Sequence, residues 1–244
     1  YGEDPHHVGE MGAGLTRGAQ RHVMATLKHF ALNSMENARF GVDVKVDERA
    51  LHEVYLPHFK RIVDEGVACV MTAYNSVNGE WCSQNEVLLA DILRREWGFA
   101  GFVISDWIFG VHDGVKSLIA GLDVEMPYRM IRNAPIVAAL SEGLVTEENI
   151  ASAVTRTLTT MLKFNVGKLP VSDRSVVLCS EHVLLSQEVA EKSMVLLKNE
   201  SVDGVSLLPI NLKDNSKIAV FGRLAAVRNI GDGGSSDVMA PNVV

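Results

Sequence analysis

The chain has 244 residues, 47% hydrophobic and 22% charged, with a formal net charge of −7, which suits one large globular domain or two smaller ones. A mildly acidic chain without basic clusters argues against a nucleic-acid partner, and no apolar stretch nears the ~18 residues that a membrane helix needs. Three widely spaced cysteines, Cys69, Cys82 and Cys179, suggest neither a disulfide framework nor a CxxC metal site.

Taken in order, residues 1–5 read as the middle of a loop, and residues 241–244 stop without closing any element. The expectation is a piece of a longer protein, with compartment and oligomeric state left open. A first apolar run, 23–27, ends at Lys28 and His29. Residues 47–65 carry Leu51, Val54, Tyr55, Phe59, Ile62 and Val63 at three-to-four spacing, which predicts one helix closed by Gly66. The second run, 67–73, ends at Tyr74 and Asn75, and a helix from about Asn85 runs to Gly98. A third run, 101–105, ends at Asp106 and Trp107. After a short helical pattern (Val115, Leu118, Ile119), the fourth run, 121–126, stops at Pro127. Two more helices are expected at about 134–142 and 147–164, the second capped by Thr146.

Apolar strands alternating with amphipathic helices imply parallel strands covered by helices. Four such units fit half of a (β/α)8 barrel, and they fit a doubly wound sheet equally well. Residues 165–180 then read as a linker around Gly167 and Pro170. A helix bearing Leu184, Leu185, Val189, Met194 and Leu197 follows, and residues 217–222 read as a buried strand opening a second α/β domain.

Chemistry-bearing side chains gather at the strand exits: Lys28 and His29, Tyr74 and Asn75, Asp106 and Trp107, Glu125 and Met126. In a barrel these positions converge on the mouth where barrel active sites lie, and in an open sheet they line the crevice. A carboxylate, an ammonium, an imidazole and aromatic faces together suit a sugar. Plainer readings stand beside this one. Asp106 fits a helix cap, Arg39 a surface pair with Glu36 or Asp43, Met71 a core position, and Trp107 and Tyr74 packing aromatics.

The ordered strings YGEDP, ATLKHFALN, ERALHEVYLPHFK, VMTAYNSVNG, REWGFAGFVISDW and AGLDVEMP resemble glycoside hydrolase family 3, and KSMVLLKNE, LLPI, KIAVFG and GDGGSS resemble its linker and second domain. That resemblance implies the C-terminal half of a (β/α)8 TIM-like barrel over residues 1–164, a linker over 165–183, and the start of an α/β sandwich domain over 184–244. It also implies retaining hydrolysis of terminal β-D-glucosyl residues, with Asp106 as nucleophile. Lys28, His29, Arg39, Met71, Tyr74, Trp107 and Ser235 become the sugar-binding residues by the same carry-over, and small β-glucosides or cello-oligosaccharides the substrates. The acid/base glutamate is expected beyond Val244, so the isolated chain is expected to be inactive. Where another branch of the family reads KHFPGHG, this chain reads KHFALNS, which favours the β-glucosidase-like branch. β-Xylosidase or other exo-glycosidase activity, a non-catalytic sugar-binding role and a nucleotide-binding role at 231–236 remain as rivals. No cofactor and no metal are expected, since neither HExxH nor a GxGxxG strand exit occurs.

Overall fold

The computed structural model describes residues 1–165, 173–201, 203–210, 217–227 and 237. The chain divides into two compact units, Tyr1–Val171 and Ser172–Val244.

In the first unit, helix α1 (Pro5–Ala19) occupies a stretch whose opening reads as loop in the sequence. Asp4 caps it, accepting from His7 N at 3.0 Å, and Pro5 supplies a preset φ at the first turn. Gly9, Gly12, Gly14 and Gly18 dilute its apolar period and lower its propensity. The parallel strand β1 (Thr26–Phe30) follows and takes in Lys28 and His29, which the sequence placed just after the strand. Next comes the two-residue strand β2 (Asp43–Val44).

The helix expected over 47–65 is broken. A turn α2 (Glu48–Ala50) and a π-helical turn Leu51–Tyr55 precede α3 (Pro57–Val63). Pro57 lacks the N–H that a continuous helix requires, and its ring crowds the preceding residue, so Leu56 opens to φ −110°. α3 packs against α1, where a Cβ on Gly12 would fall 2.4 Å from Ile62 Cδ1.

Strand β3 (Cys69–Thr72) leads into a hairpin, β4 (Ser76–Val77) and β5 (Glu80–Trp81). Its turn is Asn78-Gly79, both at positive φ, the preferred chemistry for a two-residue hairpin loop. A π-helical stretch Val87–Glu96 leads to β6 (Phe102–Ile104). Helices α4 (Gly114–Ala120), α5 (Asn133–Ser141) and α6 (Glu147–Lys163) complete the unit. Thr146 caps α6 in a reciprocal capping box with Asn149.

β1, β3 and β6 form a parallel sheet in that order, with Thr26 opposite Cys69 and Cys69 opposite Phe102. The fourth apolar run contributes a single parallel bridge, Val124 to Ile104, where a strand was expected. The Val103 carbonyl accepts from the amides of both Asp123 and Val124, so regular ladder spacing is lost there. β2, β4 and β5 make a second small sheet. The core between sheet and helices is centred on the buried side chains of Phe30, Leu56, Val70, Leu89, Leu93 and Val103.

The Asp123 side chain is fully buried and supports the far side of the sheet. Arg94 donates to it at 2.7 Å, Arg156 of α6 at 2.7–2.8 Å, and Val103 N at 2.7 Å. Burial brings the Arg94 guanidinium down to about 10, against the pull of Asp123. Arg132 donates to the carbonyls of Leu122 and Asp123, both at 2.9 Å.

In the second unit, helix α7 (Ser180–Ser193) begins inside the stretch read as linker and ends before Met194 and Leu197. Leu184, Leu185 and Val189 on it are exposed. Residues 217–222 pair with no strand among the described residues, and Ile218, Val220 and Phe221 are exposed, in contrast to the buried strand expected from the sequence. An apolar run becomes a strand only where a neighbouring strand takes up its backbone hydrogen bonds.

Candidate functional site

Three parallel strands carry the expected residues to one end of the sheet. Asp106 lies two residues past β6 and is 6% exposed. Its Oδ1 accepts from Trp107 N at 2.7 Å, while His29 Nε2 of β1 lies 3.4 Å from Oδ2. Among the described residues, Oδ2 of Asp106 is the buried carboxylate oxygen that receives no hydrogen bond. Such an oxygen is costly unless a further group approaches it.

Tyr74, just past β3, donates its hydroxyl to the Trp107 carbonyl at 2.8 Å. Burial pushes the Tyr74 phenol up to about 12, and the neighbouring Asp106 charge adds to the rise while Arg39 opposes it. Burial also holds the His29 imidazole below its ordinary value. Asp106 pulls the other way, and the positive charges of Lys28 and Arg39 reinforce the lowering. Held below its ordinary value, the His29 imidazole is neutral at neutral pH and stands beside the Asp106 carboxylate.

Arg39 follows a short 3-10 turn, Glu36–Ala38. It pairs with Glu36 at 2.7 Å, as the plainer reading had it, and its guanidinium also lies over the rings of Phe40 and Tyr74, 4.8 and 5.0 Å from their centroids. Lys28 is exposed and precedes His29 on β1. Trp107 is partly exposed beside Asp106. Met71 is 7% exposed and packs with Cys69 and Ile104, which makes it a core residue in this arrangement. Ser235 lies outside the described residues.

The other carboxylates at the strand exits are committed elsewhere. Asp123 is held by two arginines, and Glu125 accepts from the amides of Ile131 and Arg132 at 2.7 and 3.1 Å. Asn75 is fully buried and donates to the carbonyls of Ala31 and Ser76, bracing the exits of β1 and β3. Among the described residues no group of three or more His, Cys, Asp or Glu is placed to hold a metal ion.

Sequence reasoning missed two residues that shape this site, Ser105 and Gly110. The Ser105 hydroxyl accepts from Met126 N at 2.9 Å. A Cβ on Gly110 would fall 2.5 Å from the Asp106 carbonyl oxygen. A glycine four positions beyond a strand-exit aspartate was the available signal.

Residues 1–160 match the glycosyl hydrolase family 3 N terminal domain. A beta-glucosidase of Rhizobium radiobacter is 40% identical over 248 residues, which is 98% of this chain and 29% of that protein. An exo-alpha-(1->6)-L-arabinopyranosidase of Bifidobacterium longum is 35% identical over 98% of the chain and 32% of its own length. The solved structure of beta-glucosidase 3B from Thermotoga neapolitana in complex with glucose aligns over 99% of the chain and 34% of that protein, with a TM-score of 0.86 and 37% identity. The chain thus spans about a third of the length of these relatives. With its α/β fold, its parallel strand exits and this match over residues 1–160, the chain belongs to glycosyl hydrolase family 3.

Proposed function

We propose that the full-length protein carrying this chain hydrolyses terminal, non-reducing β-D-glucosyl residues by a retaining double displacement, with Asp106 as nucleophile. The observation that carries the reading is the buried carboxylate with one oxygen held by Trp107 N and the other without a donor, 3.4 Å from His29 Nε2. A nucleophilic carboxylate needs an oxygen that is ionised, desolvated and unengaged. In the first step Oδ2 attacks the anomeric carbon, the C–O bond to the leaving group breaks, and a carboxylic acid protonates that group. In the second, water attacks the glycosyl ester and returns the free carboxylate. Retaining enzymes set the two carboxyl groups ~5–5.5 Å apart. Asp123 and Glu125 are engaged by arginines and by main-chain amides, and the family resemblance implies an acid/base glutamate from beyond Val244.

Lys28, His29 and Arg39 grip sugar hydroxyls, and Trp107 and Tyr74 present aromatic faces to the ring. Met71 acts by packing beneath the site, and the family resemblance alone implies a sugar-binding role for Ser235. In-order parallel neighbours, without the reversal of a doubly wound sheet, support the C-terminal half of a (β/α)8 barrel over residues 1–164, and the linker over 165–183 and the sandwich domain from 184 rest on the family resemblance alone. Small β-glucosides or cello-oligosaccharides are the substrates. The arabinopyranosidase among the relatives favours a second reading, an exo-glycosidase acting on another pyranoside.

Trapping the full-length protein with 2-deoxy-2-fluoro-β-D-glucosyl fluoride, followed by peptide mass spectrometry, tests the assignment. The label is expected on Asp106. A label on any other side chain overturns it, and a label obtained solely from a fluorinated pentopyranoside or galactoside selects the second reading.

A further inference from the structure

The loop leaving β6 is shaped by constraints that the catalytic reading does not itself explain. Trp107 N holds Asp106 Oδ1, and the Trp107 carbonyl accepts from both Tyr74 Oη and Phe109 N. Ile108 stands at φ 62°, a left-handed conformation that is unfavourable for a β-branched residue. Its amide donates to the Met126 carbonyl at 3.0 Å, and Met126 N donates to Ser105 Oγ at 2.9 Å. The chain then folds back so closely that a Cβ on Gly110 would lie 2.5 Å from O, 2.8 Å from N and 3.0 Å from C of Asp106. All three are main-chain atoms, so no change of rotamer relieves the clash.

The geometry points to Gly110 and Ser105 as positioning residues for Asp106. Gly110 closes the loop against the backbone of the carboxylate residue. Ser105 ties the other side of the loop to Met126, and through Met126 to Ile108. Between them they keep Trp107 N on Oδ1 and leave Oδ2 directed away, in the orientation that attack requires. The left-handed Ile108 is the local strain that this closed loop sustains. The inference rests on Asp106 being the nucleophile, as proposed above. The Ser105 hydroxyl meets Met126 N and a Gly110 Cβ would meet the main chain of Asp106, so their effect falls chiefly on the chemical step.

The test compares the full-length protein with its Gly110→Ala and Ser105→Ala variants on an aryl β-glucoside. It reads kcat, KM, competitive inhibition by glucose, and the rate of labelling by the fluorinated glucosyl fluoride. Misplacing a reacting group by about 1 Å costs about 100-fold, so kcat is expected to fall about 100-fold in Gly110→Ala and about 10-fold in Ser105→Ala, with KM and glucose inhibition changed less than about three-fold. Labelling should slow by the same factor as kcat. A folded variant of either kind that keeps kcat within about three-fold of the parent overturns the inference, and so does a loss matched by equally weakened glucose inhibition. If Gly110→Ala does not fold, Ser105→Ala decides alone, since it removes one hydroxyl and adds no atoms. A parent inactive on every β-glycoside would instead overturn the proposed function.

Discussion

His29 lies on β1 and Asp106 two residues past β6, with β3 between those strands, yet His29 Nε2 lies 3.4 Å from Asp106 Oδ2. Strands two places apart have backbones ~10 Å from one another, so both side chains must lean across the end of β3. Contact there brings a neutral imidazole to the free oxygen of the carboxylate. Replacing Asp106 with Ala in the full-length protein should lower kcat on aryl β-glucosides by at least about 10⁴-fold, the scale seen when a nucleophile is removed. Added azide should then yield an α-glycosyl azide, read by NMR of the product. Near-parent turnover would rule out the assignment.

Tyr74 should report the charge of Asp106. Burial raises its phenol first, and the carboxylate raises it further. In an Asp106→Asn variant the Tyr74 pKa should fall below the parent's value of about 12, as read by ultraviolet difference titration against a Tyr74→Phe control. Tyr74→Phe itself removes the bond to the Trp107 carbonyl and should cost about 0.5–1.5 kcal/mol in stability by urea unfolding.

Lys28, exposed midway along β1, offers three donors. If its grip on the sugar tightens as charge develops, Lys28→Ala should raise KM and lower kcat together. Steady-state kinetics check this. A change in KM alone would place the contact in the ground state.

Acid should weaken this unit through its histidines. His29, His58 and His112 are each held below the ordinary imidazole value, with burial the first cause in every case. The unfolded chain therefore binds protons that the folded chain resists. Stability from this source is complete above about pH 6.5, is lost as pH falls through that unfolded value, and stops falling once the depressed native values are passed. Urea midpoints between pH 7.5 and 5 should decline, and His58→Gln should flatten the slope, because burial alone depresses His58.

Much of this architecture is legible in the chain, and the failures are instructive. The runs around 67–73 and 101–105 announce β3 and β6 because a strand covered on both faces is apolar throughout. Asp106 stands where that pattern put it, at a strand exit. The hairpin between β4 and β5 escaped notice although Asn78-Gly79 signals it, because strands of two residues are too short to show alternation. Helix α1 was hidden by its glycines, and the break at Leu56 by a period that continues across Pro57. Which carboxylate keeps a free oxygen was beyond sequence reasoning. Asp123 and Asp106 both sit in apolar runs, and the partners that set them apart, Arg94, Arg156 and Trp107 N, are fixed by packing.

Asp123 should be intolerant of change for the opposite reason to Asp106. Asp123→Ala strands two arginines that are largely withdrawn from water, and breaking a buried pair costs about 3–5 kcal/mol. Thermal and urea unfolding should record the loss.

The Arg156 contact carries a lesson for anyone recombining such enzymes. A guanidinium on the last helix of the first unit neutralises a carboxylate that lies 33 positions earlier, under the sheet. A truncation placed anywhere between those positions would leave the carboxylate with Arg94 and without the second guanidinium that shares its burial, however well two parents' strands agree. Exchangeable blocks of this fold should therefore keep Asp123 and α6 together.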